Sequence, residues 1–193
     1  NGDRTQRVVL RSQDLPWEPG PAPGVLRRLL AAEGDEDVRA TAVVRYEPGS
    51  GFARRAHPQG EKIVVLEGEF ADEHGTYPAG TYIRNPPGSG HSPRSRAGCA
   101  LFVTPWQPHD DDPGREVVRP SDRRWGPGLV GGLEVLALDQ FGGSRTALVR
   151  WAPGTSFARH RHFGGEEIFV LEGTFQDEFG DYPRGTWLRS PHL

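Results

Sequence analysis

His160 and His162, followed four residues later by Glu166, form the stretch of this chain best suited to chemistry. Side chains alternate along a strand, so two histidines at i and i+2 point to one face and reach one point in space. The Gly164-Gly165 turn brings Glu166 back towards that point. Two neutral nitrogen donors and one anionic oxygen suit a divalent transition metal, zinc or iron first, with manganese and nickel as alternatives. An apolar, β-prone run at 168–171 follows at once, which sets the cluster on a buried sheet. Glu167 alternates with Glu166 and is expected to face out or to support the ligands from behind.

The arrangement occurs twice. From Thr41 and Thr146 onward the two halves align without a gap, 105 residues apart, and more than half of the paired positions are identical. Phe52-Ala53-Arg54 returns as Phe157-Ala158-Arg159, Val65-Leu66-Glu67-Gly68 as Val170-Leu171-Glu172-Gly173, and Tyr77-Pro78 as Tyr182-Pro183. A single duplication of this length is a doubled domain and not a solenoid, whose units are shorter and more numerous. The first half keeps His57, Glu61 and a later His91, but Arg55 stands where His160 stands in the second. A guanidinium has no lone pair to donate. Two readings follow. Either the first site is degenerate and Arg55 pairs with Glu61, or a metal binds His57, Glu61 and His91 while Arg55 swings away or clamps an anionic, substrate-like ligand.

The elements that must carry these residues are strands. Among 193 residues there are 26 Gly and 18 Pro, and apolar residues make up 35%, a composition of short strands and tight turns. The sequence predicts strands at 25–30, 39–46, 52–57, 61–66, 69–71, 80–83 and 100–104. Turns are predicted at 34–37 and at Pro48-Gly49, Gln59-Gly60, Glu67-Gly68, His74-Gly75 and Pro86-Pro87-Gly88. Such frequent punctuation indicates a sandwich or barrel. The first domain is expected over 1–106, a Pro- and Asp-rich solvated connector over 107–124, and the second domain over 125–193. Trp17 is expected to anchor an extended Pro-rich segment on the sheet. Phe52, Phe157, Tyr77, Tyr182 and Trp187 are expected to line the barrels, and Cys99 to be a core-packed thiol.

The net charge of −3 offers no basic patch for nucleic acid. One cysteine excludes an intramolecular disulfide and a Cys-x-x-Cys zinc knuckle. No apolar run nears the ~20 residues of a membrane span, and no leader pattern opens the residues given, so a cytoplasmic protein is expected. No Gly-x-Ser-x-Gly or Gly-x-x-x-x-Gly-Lys motif points to hydrolysis or nucleotide binding.

Gly154-(x5)-His160-x-His162-(x3)-Glu166-(x6)-Gly173 resembles the first motif of the cupin superfamily. Gly80 to His91 resembles the second. The runs Gly164-Gly165-Glu166-Glu167-Ile168-Phe169-Val170-Leu171-Glu172-Gly173, Asp72-Glu73-His74-Gly75-Thr76-Tyr77-Pro78-Ala79-Gly80-Thr81 and Gly98-Cys99 resemble the ChrR-like cupin family in particular. The resemblance covers the chain from about Trp17 to its last residue. It implies an all-β bicupin, two tandem double-stranded β-helix (jelly-roll) barrels, each with a metal site inside. It also implies pairing into a homodimer. The family's anti-sigma zinc domain has no counterpart in the residues given, so sigma-factor binding does not carry over. The resemblance implies a metal-binding protein that senses stress or a small ligand. The alternative is a non-haem dioxygenase acting on a small diketone-like or phenolic substrate. The family's fourth ligand, a histidine, would align beyond Leu193, since His192 aligns with Pro87 and not with His91. The second barrel is therefore read as truncated, because an open barrel exposes unpaired strand edges. His74 and His109 are expected at the surface.

Overall fold

The computed structural model describes residues 3–32, 40–105, 114–141, 143–158 and 164–191. The turn expected at 34–37 lies outside them. The first half carries β1 (Val8–Arg11), β2 (Glu18–Pro19), β3 (Val25–Ala32), β4 (Ala40–Tyr46), β5 (Arg55–His57), β6 (Glu61–Asp72), β7 (Gly75–Pro78), β8 (Tyr82–Asn85), β9 (Ser89–His91) and β10 (Cys99–Pro105). The second carries β11 (Glu116–Val118), β12 (Gly126–Pro127), β13 (Leu133–Phe141), β14 (Ser144–Trp151), β15 (Glu166–Phe169), β16 (Thr174–Asp177), β17 (Gly180–Pro183) and β18 (Thr186–Ser190). Two single 3-10 turns, Ser12–Asp14 and Pro120–Asp122, are the helical elements among the described residues. Among the described residues no helix is long and apolar enough to cross a membrane.

In the first half one antiparallel sheet runs β11-β8-β6-β10-β4-β3-β2, with β7 paired to the far end of β6. Its inward positions follow the strand period of two. Ile63, Val65 and Phe70 on β6 meet Val25, Tyr46, Cys99 and Leu101 in one buried cluster. The sequence predicts a break in β6 at Glu67-Gly68, yet the strand runs through it. β10 pairs along its whole length, and a register shift between Ala100 and Leu101 absorbs one residue of β6 as a bulge. The extra residue is Leu66, and Gly68, two residues on and paired with Cys99, has φ +72°, a conformation that glycine adopts without a Cβ penalty.

The halves exchange arms. β1, from the start of the chain, pairs with β18 of the second half. β11, from the start of the second half, pairs with β8 of the first. Residues 116–118 are thus a strand where the composition suggested solvated connector, because Val117 and Val118 bury against the first-half cluster and its neighbour. Trp187, expected inside the second barrel, instead packs on Leu30 and Val43 of the first half. It aligns with Tyr82, which faces the other way across the molecule onto Leu136 and Leu138. Beside Tyr82 lies a buried polar group: Lys62 Nζ is 3.2 Å from Asp139 Oδ1 and 2.5 Å from Thr146 Oγ1, and the Tyr82 hydroxyl also donates to Asp139.

The two halves differ in closure. β10 joins β4 to β6 in the first half, whereas no strand joins β14 to β15 among the described residues. β14 accordingly leaves Val149 and Trp151 exposed.

Candidate metal centre

Three strands position the first-half cluster. His57 ends β5, Glu61 opens β6, and His91 ends β9. The Pro58–Gly60 turn between the first two closes on a hydrogen bond from Gly60 N to His57 O, with Gly60 at φ +72°. A Cβ on Gly60 would press into the backbone of Asn85 and Pro86, so the residue before Glu61 has to be glycine. β5 and β9 pair with Arg55 opposite His91 and His57 opposite Ser89, which puts Arg55 on the face of His57 and next to His91.

The donor atoms converge. Glu61 Oε1 lies 3.0 Å from His91 Nε2 and 3.4 Å from His57 Nε2, and the three donors fall within 4.8 Å of one another. Donors held about 2.1 Å from one ion at tetrahedral to octahedral angles are roughly 3.0–3.4 Å apart, and both Glu61 distances fall in that range. His57 Nε2 is buried and makes no hydrogen bond, and a buried nitrogen left without a partner fits a cation as that partner.

A second ring of groups holds these three. Asn85 Nδ2 donates to Glu61 Oε1 at 2.8 Å. Behind His91, Nδ1 lies 3.4 Å from Asp72 Oδ2. Asp72 also accepts from His74 N, Gly75 N and the Tyr77 hydroxyl. Arg115 reaches both supports, with Nε donating to Asn85 Oδ1 at 3.0 Å and Nη2 to Asp72 Oδ2 at 3.0 Å. Burial works against the charged form of His91, but its bonds to Asp72 and Glu61 prevail and raise it to about 9. Burial also works against ionised Glu61, yet the bond from His91 and the charges of both histidines hold its pKa below the usual carboxylate value. Burial, assisted by the positive neighbours His91 and Arg55, lowers His57, which keeps its lone pair available.

The cluster forms the polar end of a cavity of about 130 Å³. Val44, Ile63, Leu101 and Val103 make apolar walls, and Arg27 and Arg55 supply positive charge. Arg27 follows Val25 by two on β3 and so shares its inward face. Three site features escape a reading of the sequence alone: Arg27, Asn85 and Arg115. A signal for the last was present, since Arg7 to Arg11 matches Arg115 to Arg119 once a three-residue gap is allowed.

Of the second-half trio, His160 and His162 lie outside the described residues, as do His109 and His192. Glu166 opens β15 opposite Ser190, the register that Glu61 has to Asn85. Cys99 is a buried, free thiol, and burial pushes it up to about 11. His74 sits exposed in a turn.

The family model described as ChrR Cupin-like domain matches twice, over residues 5–108 and 113–193. No curated protein matches. Among solved structures, a candidate dioxygenase of Nostoc punctiforme superposes with a TM-score of 0.78 at 13% identity, covering 98% of this chain and 76% of the other. YlbA of Escherichia coli gives 0.72 at 16%, covering 100% and 86%. Oxalate decarboxylase of Lactobacillus farciminis, in its formate complex, gives 0.66 at 14%, covering 96% and 79%. At these identities the likeness is one of fold: an all-β tandem cupin.

Proposed function

The chain belongs to the ChrR cupin-like domain family, and from that premise we propose that its first half is a mononuclear metal centre at which a small anionic oxygen compound is oxidised. The observation that carries this reading is the apolar cavity opening directly onto two imidazoles and one carboxylate. His57, Glu61 and His91 would hold the ion, and a set of three protein ligands would leave it able to bind a small molecule as well. Iron(II), when bound there, would supply a redox centre and a Lewis acid for O₂ chemistry. Asn85 fixes the Glu61 oxygen and Asp72 fixes the His91 ring. Arg55, beside the ligands, and Arg27, across the cavity, bind and orient an anionic oxygen group. The apolar walls exclude water from the remainder of the molecule.

The lining charges suit an anion. Arg27 and Arg55 line the cavity with Glu61, and a bound dication would add positive charge there. The cavity is far smaller than the roughly 300–1,000 Å³ of drug-sized sites, so the compound has a handful of heavy atoms, such as a short carboxylate or the enolate of a diketone. In the second half, His160, His162 and Glu166 are proposed to hold a further ion.

A small-ligand sensing role is the second reading, favoured by the exchanged arms that tie the first site to the other half of the chain. Metal analysis followed by iron(II) reconstitution separates the two. The expected result is O₂ uptake that depends on iron and on a short carboxylate or diketone and is lost in Glu61→Ala. Ligand binding without O₂ uptake supports sensing. A protein that retains no metal through His57, Glu61 and His91 overturns both.

A further inference from the structure

We infer that Arg115, delivered by the second half, is a positioning residue for the first-half metal site; the inference rests on the metal reading above. One guanidinium touches the supports of two different ligands. Its Nε bonds Asn85, whose amide bonds Glu61, and its Nη2 bonds Asp72, which backs His91. Nη2 also donates to the Tyr77 hydroxyl at 2.7 Å, and Tyr77 in turn donates to Asp72. The planar fork sets the angle between these partners, so Glu61 and His91 are held relative to each other and not only one by one. Hydrogen-bond partners of ligands commonly change metal affinity by about 10–100-fold when removed.

The position of Arg115 in the chain gives this contact its consequence. It immediately precedes β11, the arm that crosses from the second half to pair with β8, and β8 ends at Asn85. Docking of the arm and orientation of the ligands are therefore one event. The opposite arm repeats the device. Arg7 immediately precedes β1 and donates to Asp177 at 3.0 Å and to the Tyr182 hydroxyl at 2.6 Å, the counterparts of Asp72 and Tyr77. Ser190 replaces Asn85 there, so the reach to the carboxylate support is specific to the first half.

The test uses the full chain carrying His160→Ala and His162→Ala as parent, which leaves one candidate site. Cobalt(II) is titrated into the parent and into its Arg115→Gln, Arg115→Lys and Arg7→Gln forms, reading affinity and the visible ligand-field spectrum, with thermal melts alongside. Arg115→Gln is expected to weaken cobalt binding about 10–100-fold and to shift the spectrum. Arg115→Lys, a point cation without the fork, is expected to recover part of the affinity but not the parent spectrum. Arg7→Gln loses a matching clasp and is expected to lower the melting temperature while leaving cobalt affinity and spectrum unchanged. Should Arg115→Gln not fold, Arg115→Lys against Arg7→Gln decides alone. Parent-like affinity and spectrum in the Arg115 variants, or equal changes in Arg7→Gln, overturn the inference. A parent that binds no cobalt overturns the metal reading itself.

Discussion

At the scale of single residues, the candidate metal site of the first half is guarded by a proton. Without metal, His91 stands between two carboxylates with its pKa raised to about 9, and that proton occupies the place a cation would take. The sign follows from linkage. A raised histidine pKa stabilises the fold below the unfolded value near 6.5, and the contribution is lost as pH rises through about 9. Metal binding needs neutral imidazoles, so uptake between these limits releases the His91 proton. Apparent metal affinity is expected to rise about tenfold per pH unit from 7 towards 9 and then to level off, which calorimetry in buffers of different ionisation enthalpy checks. The metal-free protein should lose melting temperature from pH 6.5 to 9.5, and the loaded protein should lose less. His57 contributes little to this dependence, because burial has already lowered its pKa.

At the scale of the element, β6 decides whether the site exists. It carries Glu61 at one end and Asp72 at the other, so it bears both a candidate ligand and the support of another candidate ligand, His91. The bulge at Leu66 keeps the two ends in phase with β10, and Gly68 pairs with Cys99 two residues beyond it. A Cβ at Gly68 would run into the Gly98 carbonyl as well as forcing an unfavourable φ. Gly88 has a similar φ but open space around it. Gly88→Ala is therefore expected to cost about 1 kcal/mol, the conformational share alone. Gly68→Ala should cost clearly more, in the range of about 2–4 kcal/mol, because a backbone carbonyl must also move. Urea midpoints of the two variants, at unchanged m-value, check this. The turn at Gly60 is under the same kind of constraint, and a loss of metal affinity should accompany any loss of stability there.

At the scale of the molecule, the two halves meet through two related contacts made of different materials. One is apolar, with Trp187 fully buried against Leu30 and Val43. The other contains the buried Lys62–Asp139 pair with Tyr82 and Thr146. Trp187→Ala is expected to cost about 3–5 kcal/mol. Asp139→Ala leaves a buried ammonium that has lost its carboxylate and should cost about 3–5 kcal/mol as well, whereas the double variant Lys62→Met, Asp139→Leu should recover most of that loss. Chemical denaturation of the four proteins checks both statements. Because Lys62 follows the ligand Glu61, the single Asp139 variant should also weaken first-half metal binding, and the apolar double variant should restore it.

The sequence by itself determined the all-β class, the duplication and the identities of the candidate ligands. These are written in local periodicity, in Gly and Pro spacing and in the repeat, none of which needs a partner in space. His57, Glu61 and His91 were legible for that reason, and the family match confirms the fold that the motifs implied. Only the tertiary structure decided which groups stand behind the ligands and where the arms go. Asn85 and Arg115 are 30 residues apart, and Lys62 and Asp139 are 77 apart. Trp187 faces the other half because β18 presents one face to each side, and a strand's period says which residues share a face but not what that face meets. Long-range pairing depends on how whole sheets pack, and no window along the chain contains both partners.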